Sequence, residues 1–150
     1  MLEKIIKGIK YLLNDENLTA QVIQKKGYEG DFIIPEIVVF KKVAYRVTSI
    51  RWWAFEGCSS LTSIVIPDSV TSIGSSAFEY CSSLISVEVA EGNTVYDSRE
   101  NCNAIIETAT NTLICGCQNT IIPDSVTSIG ESAFRYCESL TSIVIPDGVT

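Results

Sequence analysis

Few residues in this chain could do chemistry, and they are unevenly placed. Histidine is absent from all 150 residues. That removes the commonest general base, the Ser-His and Cys-His nucleophile pairs, and the imidazole metal ligand together. Six cysteines remain. Cys58, Cys81 and Cys137 each follow a phenylalanine by three positions, after Phe55, Phe78 and Phe134, and such thiols are expected to pack inward as small hydrophobes. Cys102, Cys115 and Cys117 gather in one stretch that includes Cys-Gly-Cys. Burial, a disulfide to Cys102 in an exported protein, and a soft metal are the readings open to them. Burial is the expectation, with no metal and no cofactor, because zinc would want a histidine or a fourth well-spaced cysteine. Asp97 and Glu100 lie in "YDSRENCN" around Arg99. They lack the alternating Asp order of a calcium loop, so a polar turn with one internal ion pair is expected. Asn17-Leu18-Thr19 matches a glycosylation sequon and would matter only in a eukaryotic secretory host.

The aromatic residues raise a different question. "VTSIRWWAF" from Val47 returns as "VTSIGSSAF" from Val70 and "VTSIGESAF" from Val126, so Trp52 and Trp53 stand where the other copies have Ser75-Ser76 and Glu131-Ser132. Arg51 stands where they have Gly74 and Gly130. The distance from Val47 to Val70, and from Val126 to Val149, is 23 residues. Apolar columns recur in that frame: Ile50, Ile73 and Ile129; Leu61, Leu84 and Leu140; Ile64, Val87 and Ile143; and the Pro67, Pro123 and Pro146 column. Fixed-period columns of this kind mark a stacked repeat, in which each coil buries its apolar face only against its neighbours.

Each coil can be drafted from local chemistry. "LTSIVIP" from Leu61 is a strand ended by proline, which cannot donate to a continuing ladder. "VTSIG" is a shorter extended piece. "SSAFEYCSSL" is expected to form one or two turns of α- or 3₁₀-helix. If Gly74 and Gly130 have positive φ, Arg51 could follow only with strain, so the first coil is expected to turn differently there.

The string "CSSLTSIVIPDSVTSIGSSAFEYCSSL" resembles the BspA-type leucine-rich repeats of bacterial surface proteins, over residues 47–92 and 120–150. The resemblance implies a right-handed leucine-rich-repeat superhelix, β-rich, whose strands line one face. It further implies adhesion or binding without catalysis. Two stretches depart from the unit. Residues 1–46 are the candidate N-terminal cap, a β-hairpin segment ahead of the array at 47–150. Its residues 1–7 are expected to be a short helix or disordered, followed by two extended runs around residues 14–17 and a second hairpin tipped by Lys41-Lys42. Val70 to Val126 is 56 residues, so one coil, at about 90–120, carries ten extra. "NAIIET" and "NTLIC" predict a hairpin there that projects from the array. The chain ends within a repeat unit, which predicts a truncated last coil with an open apolar end able to self-associate.

Alternation along the strands puts one set of residues outward: Ser63 and Val65, Ser86 and Glu88, Asn119 and Ile121, Ser142 and Val144. That face suits a protein or a glycan-bearing chain better than a small molecule, although the same residues are also simply good strand formers. Two readings fit Trp52 and Trp53. The favoured one has them fill the junction with the cap, with Arg51 facing a cap acid; the other is an exposed aromatic patch of the kind that anchors partners.

Charge narrows the partners. Residues 1–53 hold nine Lys/Arg and six Asp/Glu, while residues 54–150 hold two and twelve. An acidic array offers phosphates no cationic track, so no nucleic acid is expected. The apolar stretch 5–13 is broken by Lys7, Gly8 and Lys10, so no membrane insertion is expected either. The leading expectation is a non-enzymatic binding or adhesion module, extracellular or at the cell surface, whose signal peptide lies outside this chain. A structural spacer of a larger surface protein is the alternative, suggested by the identical "TSIVIPD" at Thr62 and Thr141. A hydrolase built on Asp97 and Glu100 is the weakest reading, since no paired carboxylates fall where the repeat would be concave.

Overall fold

The computed structural model describes residues 1–150. Thirteen short strands make up nearly all its regular structure: β1 (Leu2–Ile6), β2 (Ile9–Asn14), β3 (Thr19–Val22), β4 (Glu29–Ile33), β5 (Ile37–Phe40), β6 (Val43–Ile50), β7 (Ser60–Ile66), β8 (Ser72–Ile73), β9 (Ser86–Val89), β10 (Tyr96–Asp97), β11 (Ala104–Glu107), β12 (Thr112–Gly116) and β13 (Ser128–Ile129). A single 3₁₀ turn covers Arg99–Asn101.

The first sheet runs β1-β2-β3-β6-β5, with β8 added to β6. Residues 2–6 are therefore a strand, and neither helical nor disordered: β1 pairs antiparallel with β2, and the tight link holds Lys7 at φ 48° and Gly8 at φ 86°. The other hairpin turns through Lys41 and Lys42, at φ 48° and 69°. Two successive positive-φ residues give the turn whose twist matches a two-residue β-hairpin. In β2 the alternation is plain, with Ile9, Tyr11 and Leu13 buried and their neighbours only partly so. From β3 through β6 to β8 the pairing becomes parallel, and the repeat takes over from the hairpins without a break.

The second sheet is β4-β7-β9, all parallel. Its register aligns Asp31 with Ser63 and Ser86, Phe32 with Ile64 and Val87, and Ile33 with Val65 and Glu88. Glu29–Ile33 thus forms a repeat-type strand ahead of the first full repeat. Ile64, Ile66, Val87 and Val89 point into the core, where Phe32, Phe55 and Phe78 continue the packing.

No helix forms in the "AF" segments. In all three, two residues four apart are left-handed: Trp53 and Gly57, Ser76 and Tyr80, Ser132 and Tyr136, with φ between 57° and 71°. Left-handed residues interrupt a right-handed helical ladder. Isolated turn bonds remain, such as Cys58 N to Phe55 O (3.1 Å), and others run between coils, from Phe55 N to Ala77 O (2.8 Å) and from Gly57 N to Glu79 O (2.9 Å). The expectation for Gly74 and Gly130 is also corrected, since neither has positive φ. Gly74 is glycine because of closeness: a Cβ there would lie 2.2 Å from the amide nitrogen of Trp52 in the preceding coil.

The irregular coil resolves into two opposite changes. Thr71 N bonds Thr48 O, Thr127 N bonds Asn111 O, and Thr150 N bonds Thr127 O, so these threonines and Asn111 share one position in successive coils. The step from Asn111 to Thr127 is only sixteen residues, against twenty-three from Thr48 to Thr71 and from Thr127 to Thr150. Extra chain is therefore added before Asn111, which sits in the turn of a hairpin, and the coil after it is cut short. The hairpin is β11 and β12, antiparallel as expected, and β12 then pairs parallel with β13. It does not project, because Ala104, Ile105, Ile106 and Leu113 are fully buried.

Candidate functional site

The outward residues of the β4-β7-β9 sheet are built by alternation over a buried row. Ser63, Val65, Ser86 and Glu88 do lie side by side on hydrogen-bonded strands. Strand β4 adds Asp31 and Ile33 to the same rows, two residues outside the expected set. Asp31 accepts hydrogen bonds from Ser63 Oγ (2.7 Å) and Thr62 Oγ1 (3.1 Å), which hold its carboxyl below the usual range. The available signal was "DFIIP", which matches "SIVIP" residue for residue once the Ile-Pro pairs are superposed.

The row does not continue as drafted. Asn119 and Ile121 lie outside any strand, and so do Ser142 and Val144. Residues 98–103 come between β9 and the 119–122 segment: Val89 N bonds Ser98 Oγ, and Ile121 N bonds Cys102 O. The segment 98–103, which leads into β11, thus takes the place the next strand would have filled. Ile121 and Val144 are 76% and 84% exposed, but apart from the β7 and β9 rows.

Trp52 and Trp53 are 55% and 48% exposed, with ring centroids 6.3 Å apart in an edge-to-face arrangement. The cap-filling expectation is therefore wrong. Tyr28 and Phe32 are the aromatics of residues 1–46 that pack on Phe55, at 5.0 and 5.6 Å. Arg51 forms no salt bridge; its guanidinium lies over the Trp52 ring at 5.1 Å.

Asp97 and Arg99 form the expected turn with one ion pair. The carboxylate accepts from Arg99 Nε (2.7 Å), Arg99 Nη2 (2.6 Å) and Thr108 Oγ1 (2.8 Å). Burial pushes this carboxyl up, but those bonds outweigh it and hold it below the ordinary value. Arg99 also donates to Asn111 Oδ1 and Ser125 Oγ, so the pair staples the hairpin to the next coil. Glu100 has no share in that network, and a dyad with Asp97 has no geometric basis.

The thiols follow the column expectation. Cys58, Cys81, Cys102 and Cys117 are buried, Cys115 and Cys137 partly so, and all six are free. Cys81 Sγ donates to Phe55 O at 3.2 Å, with longer contacts from Cys58 to Lys25 O and from Cys137 to Gly116 O, both 3.8 Å. Each column thiol thus reaches a carbonyl of the chain layered before it. Burial pushes all of them up, Cys81 to about 12.

Register-stacked parallel strands, apolar columns and inter-coil backbone bonds define a leucine-rich-repeat fold, a class of repeat module that in general mediates protein interactions and does not catalyse. The family profile described as "BspA type Leucine rich repeat region" matches residues 36–112 and 105–150 in six copies. The chain belongs to the BspA-type leucine-rich-repeat family. It is similar to the crystal structure of a leucine-rich cell surface protein from Faecalibacterium prausnitzii, at 27% identity and TM-score 0.56 over 100% of this chain and 38% of that one. A leucine-rich-repeat protein from Bacteroides ovatus is similar at 29% identity and TM-score 0.62, over 98% and 36%. This chain spans less than two-fifths of the length of either. No match is found among curated proteins. No helix is long and apolar enough to cross a membrane.

Proposed function

We propose that this chain is a binding module of an extracellular or cell-surface protein, engaging a protein or a glycan-bearing macromolecule as an adhesin does. The observation that carries the reading is the exposure of Trp52 and Trp53 in the one coil whose siblings hold serine or glutamate at those places. Adjacent exposed indoles are costly to leave in water and are efficient anchors once covered. The rows of Asp31, Ser63 and Ser86 and of Ile33, Val65 and Glu88 supply a second, flatter contact surface on a rigid parallel sheet. Residues 1–46 act as the N-terminal cap of an array at 47–150 that winds right-handed, as parallel crossovers require. The exposed Val144 and Ile145 of the last coil offer a surface for a second copy.

A screen against matrix proteins and glycans tests this. Trp52→Ser/Trp53→Ser and Ser86→Ala/Glu88→Lys variants are each expected to weaken a captured ligand; binding unchanged in both would sink the reading. The identical "TSIVIPD" of two coils favours the spacer reading instead, and under it no ligand would be captured at all.

A further inference from the structure

The shortened coil leaves a hole in the array. Gly116 N bonds Ala133 O just as Phe55 N bonds Ala77 O, so Gly116 occupies the phenylalanine position of its coil. Leu113 likewise stands at the Ile50 position, since Gly130 N bonds Leu113 O as Gly74 N bonds Ile50 O. Thr120 N–H donates to Cys117 O as Leu61 N–H does to Cys58 O, so Cys117 stands at the Cys58 position. Between the equivalents of Ile50 and Cys58 this coil therefore has three residues, Ile114, Cys115 and Gly116, where the others have seven. The outward turn is missing, while at the phenylalanine position the ring of Phe134 from the next coil lies directly against Gly116, where a Cβ would come within 2.1 Å of it.

The turns on either side, 74–81 and 130–137, consequently face each other across a cavity of about 280 Å³. Ile73, Phe78, Leu84 and Ile114 line it together with the thiols of Cys81, Cys115, Cys117 and Cys137. Its lip is held by contacts between coils that are not sequential neighbours. Arg135 Nη1 donates to Glu79 Oε1 at 2.9 Å, and the Tyr80 and Tyr136 rings stack at 3.7 Å. Glu79 is itself almost fully buried and also accepts from Ser76 Oγ (3.0 Å).

We propose that this cavity binds an uncharged or cationic aromatic molecule of one or two rings. Three features select that class. The size exceeds the roughly 150 Å³ apolar cavity that accepts benzene. The walls are apolar and polarisable, because burial keeps Cys81, Cys115 and Cys137 protonated at neutral pH, and sulfur favours the edge of an aromatic ring. Neutral thiols of this kind are poor metal ligands. The polar lining carries Glu79, Glu107 and Glu131 against Arg135 alone, so an anion is repelled and a cation attracted.

Titration of the 150-residue chain with 1-naphthylmethylamine and with 1-naphthoate, followed by two-dimensional NMR, tests the proposal. The amine should shift Ala77, Ile114 and Ala133 resonances saturably and bind at least about tenfold more tightly than the acid at low salt. Cys115→Phe and Ala133→Leu should each weaken binding at least tenfold by filling the space, while Trp52→Ser/Trp53→Ser should leave it unchanged. Shifts confined to the tryptophans, equal or tighter binding of the acid, or retained affinity in the folded filled variants would each overturn it.

Discussion

Cys81 shows how a residue can be conspicuous in a sequence and inert in the structure. Its thiol is buried, donates to Phe55 O, and is pushed up to about 12, chiefly by desolvation. The unfolded chain ionises a thiol near pH 8.5, so above that pH the unfolded state sheds protons that the folded state keeps. This contribution is complete below about pH 8.5 and fades toward pH 12, at up to about 1.4 kcal/mol per pH unit for each such thiol. Urea unfolding between pH 8 and 11 should show stability falling, and Cys81→Ala should flatten the slope. Ellman's reagent at pH 8 should leave Cys58 and Cys81 unmodified in the folded chain and label both in denaturant. Asp97 has the opposite sign: held low by Arg99 and Thr108, it contributes above the ordinary carboxylate value, and that stability is lost as pH falls below about 4. The thiol column was legible because spacing alone specifies an inward position. The surroundings of Trp52 were not, because they depend on what residues ahead of the repeat bring to that place. The "DFIIP" match puts Phe32 in the Ile64 column, but nothing in the frame places Tyr28 against Phe55.

At the level of elements, backbone proximity decides more than propensity. A Cβ on Gly74 would meet Trp52 N at 2.2 Å and Trp52 Cα at 2.7 Å, both backbone atoms that cannot rotate away. A Cβ on Gly130 would come no nearer than 3.3 Å, to Leu113 O, with Ile114 Cα at an ordinary 3.5 Å. Gly74→Ala should therefore cost at least about 2 kcal/mol, and Gly130→Ala under about 1 kcal/mol, by urea denaturation. Equal costs would show that the two coils pack alike. The inserted hairpin makes a parallel case. Arg99→Ala removes the bonds to Asp97, Asn111 and Ser125, and should cost about 1–2 kcal/mol, with faster exchange at Thr127 N. The strands and the hairpin could be read from alternation and proline punctuation. The turns could not, because the left-handed positions hold Trp53, Ser76, Tyr80, Ser132 and Tyr136, and only Gly57 advertises its conformation. The position of β11 was misjudged for a related reason. A polar "TATN" tip suggests projection, but Ala104, Ile105 and Ile106 are apolar enough to seal the core.

Over the whole molecule, the core is graded along the array. One cluster of 26 buried residues runs from Ile9 to Cys117, whereas the second has seven, from Cys102 to Ala133. No residue after Ala133 is buried, and Val144 and Ile145 lie open. In a repeat array each coil is held chiefly by its neighbours, so in the 150-residue chain the residues after Ala133, none of them buried, should open without the rest. Native-state hydrogen exchange should show it. The amides of Leu140, Val149 and Thr150 are expected to exchange at least about a hundredfold faster than those of Val47 and Leu61, which need global unfolding. The proposed contact with a second copy changes that gradient in a measurable way. If Val144 and Ile145 are covered by another chain, protection of Leu140 and Val149 rises with protein concentration and the sedimentation coefficient rises with it. Val144→Lys should abolish both while leaving exchange at Val47 untouched. Protection that is independent of concentration, in both the parent and Val144→Lys chains, would assign the gradient to the fold alone and remove the second copy from the account.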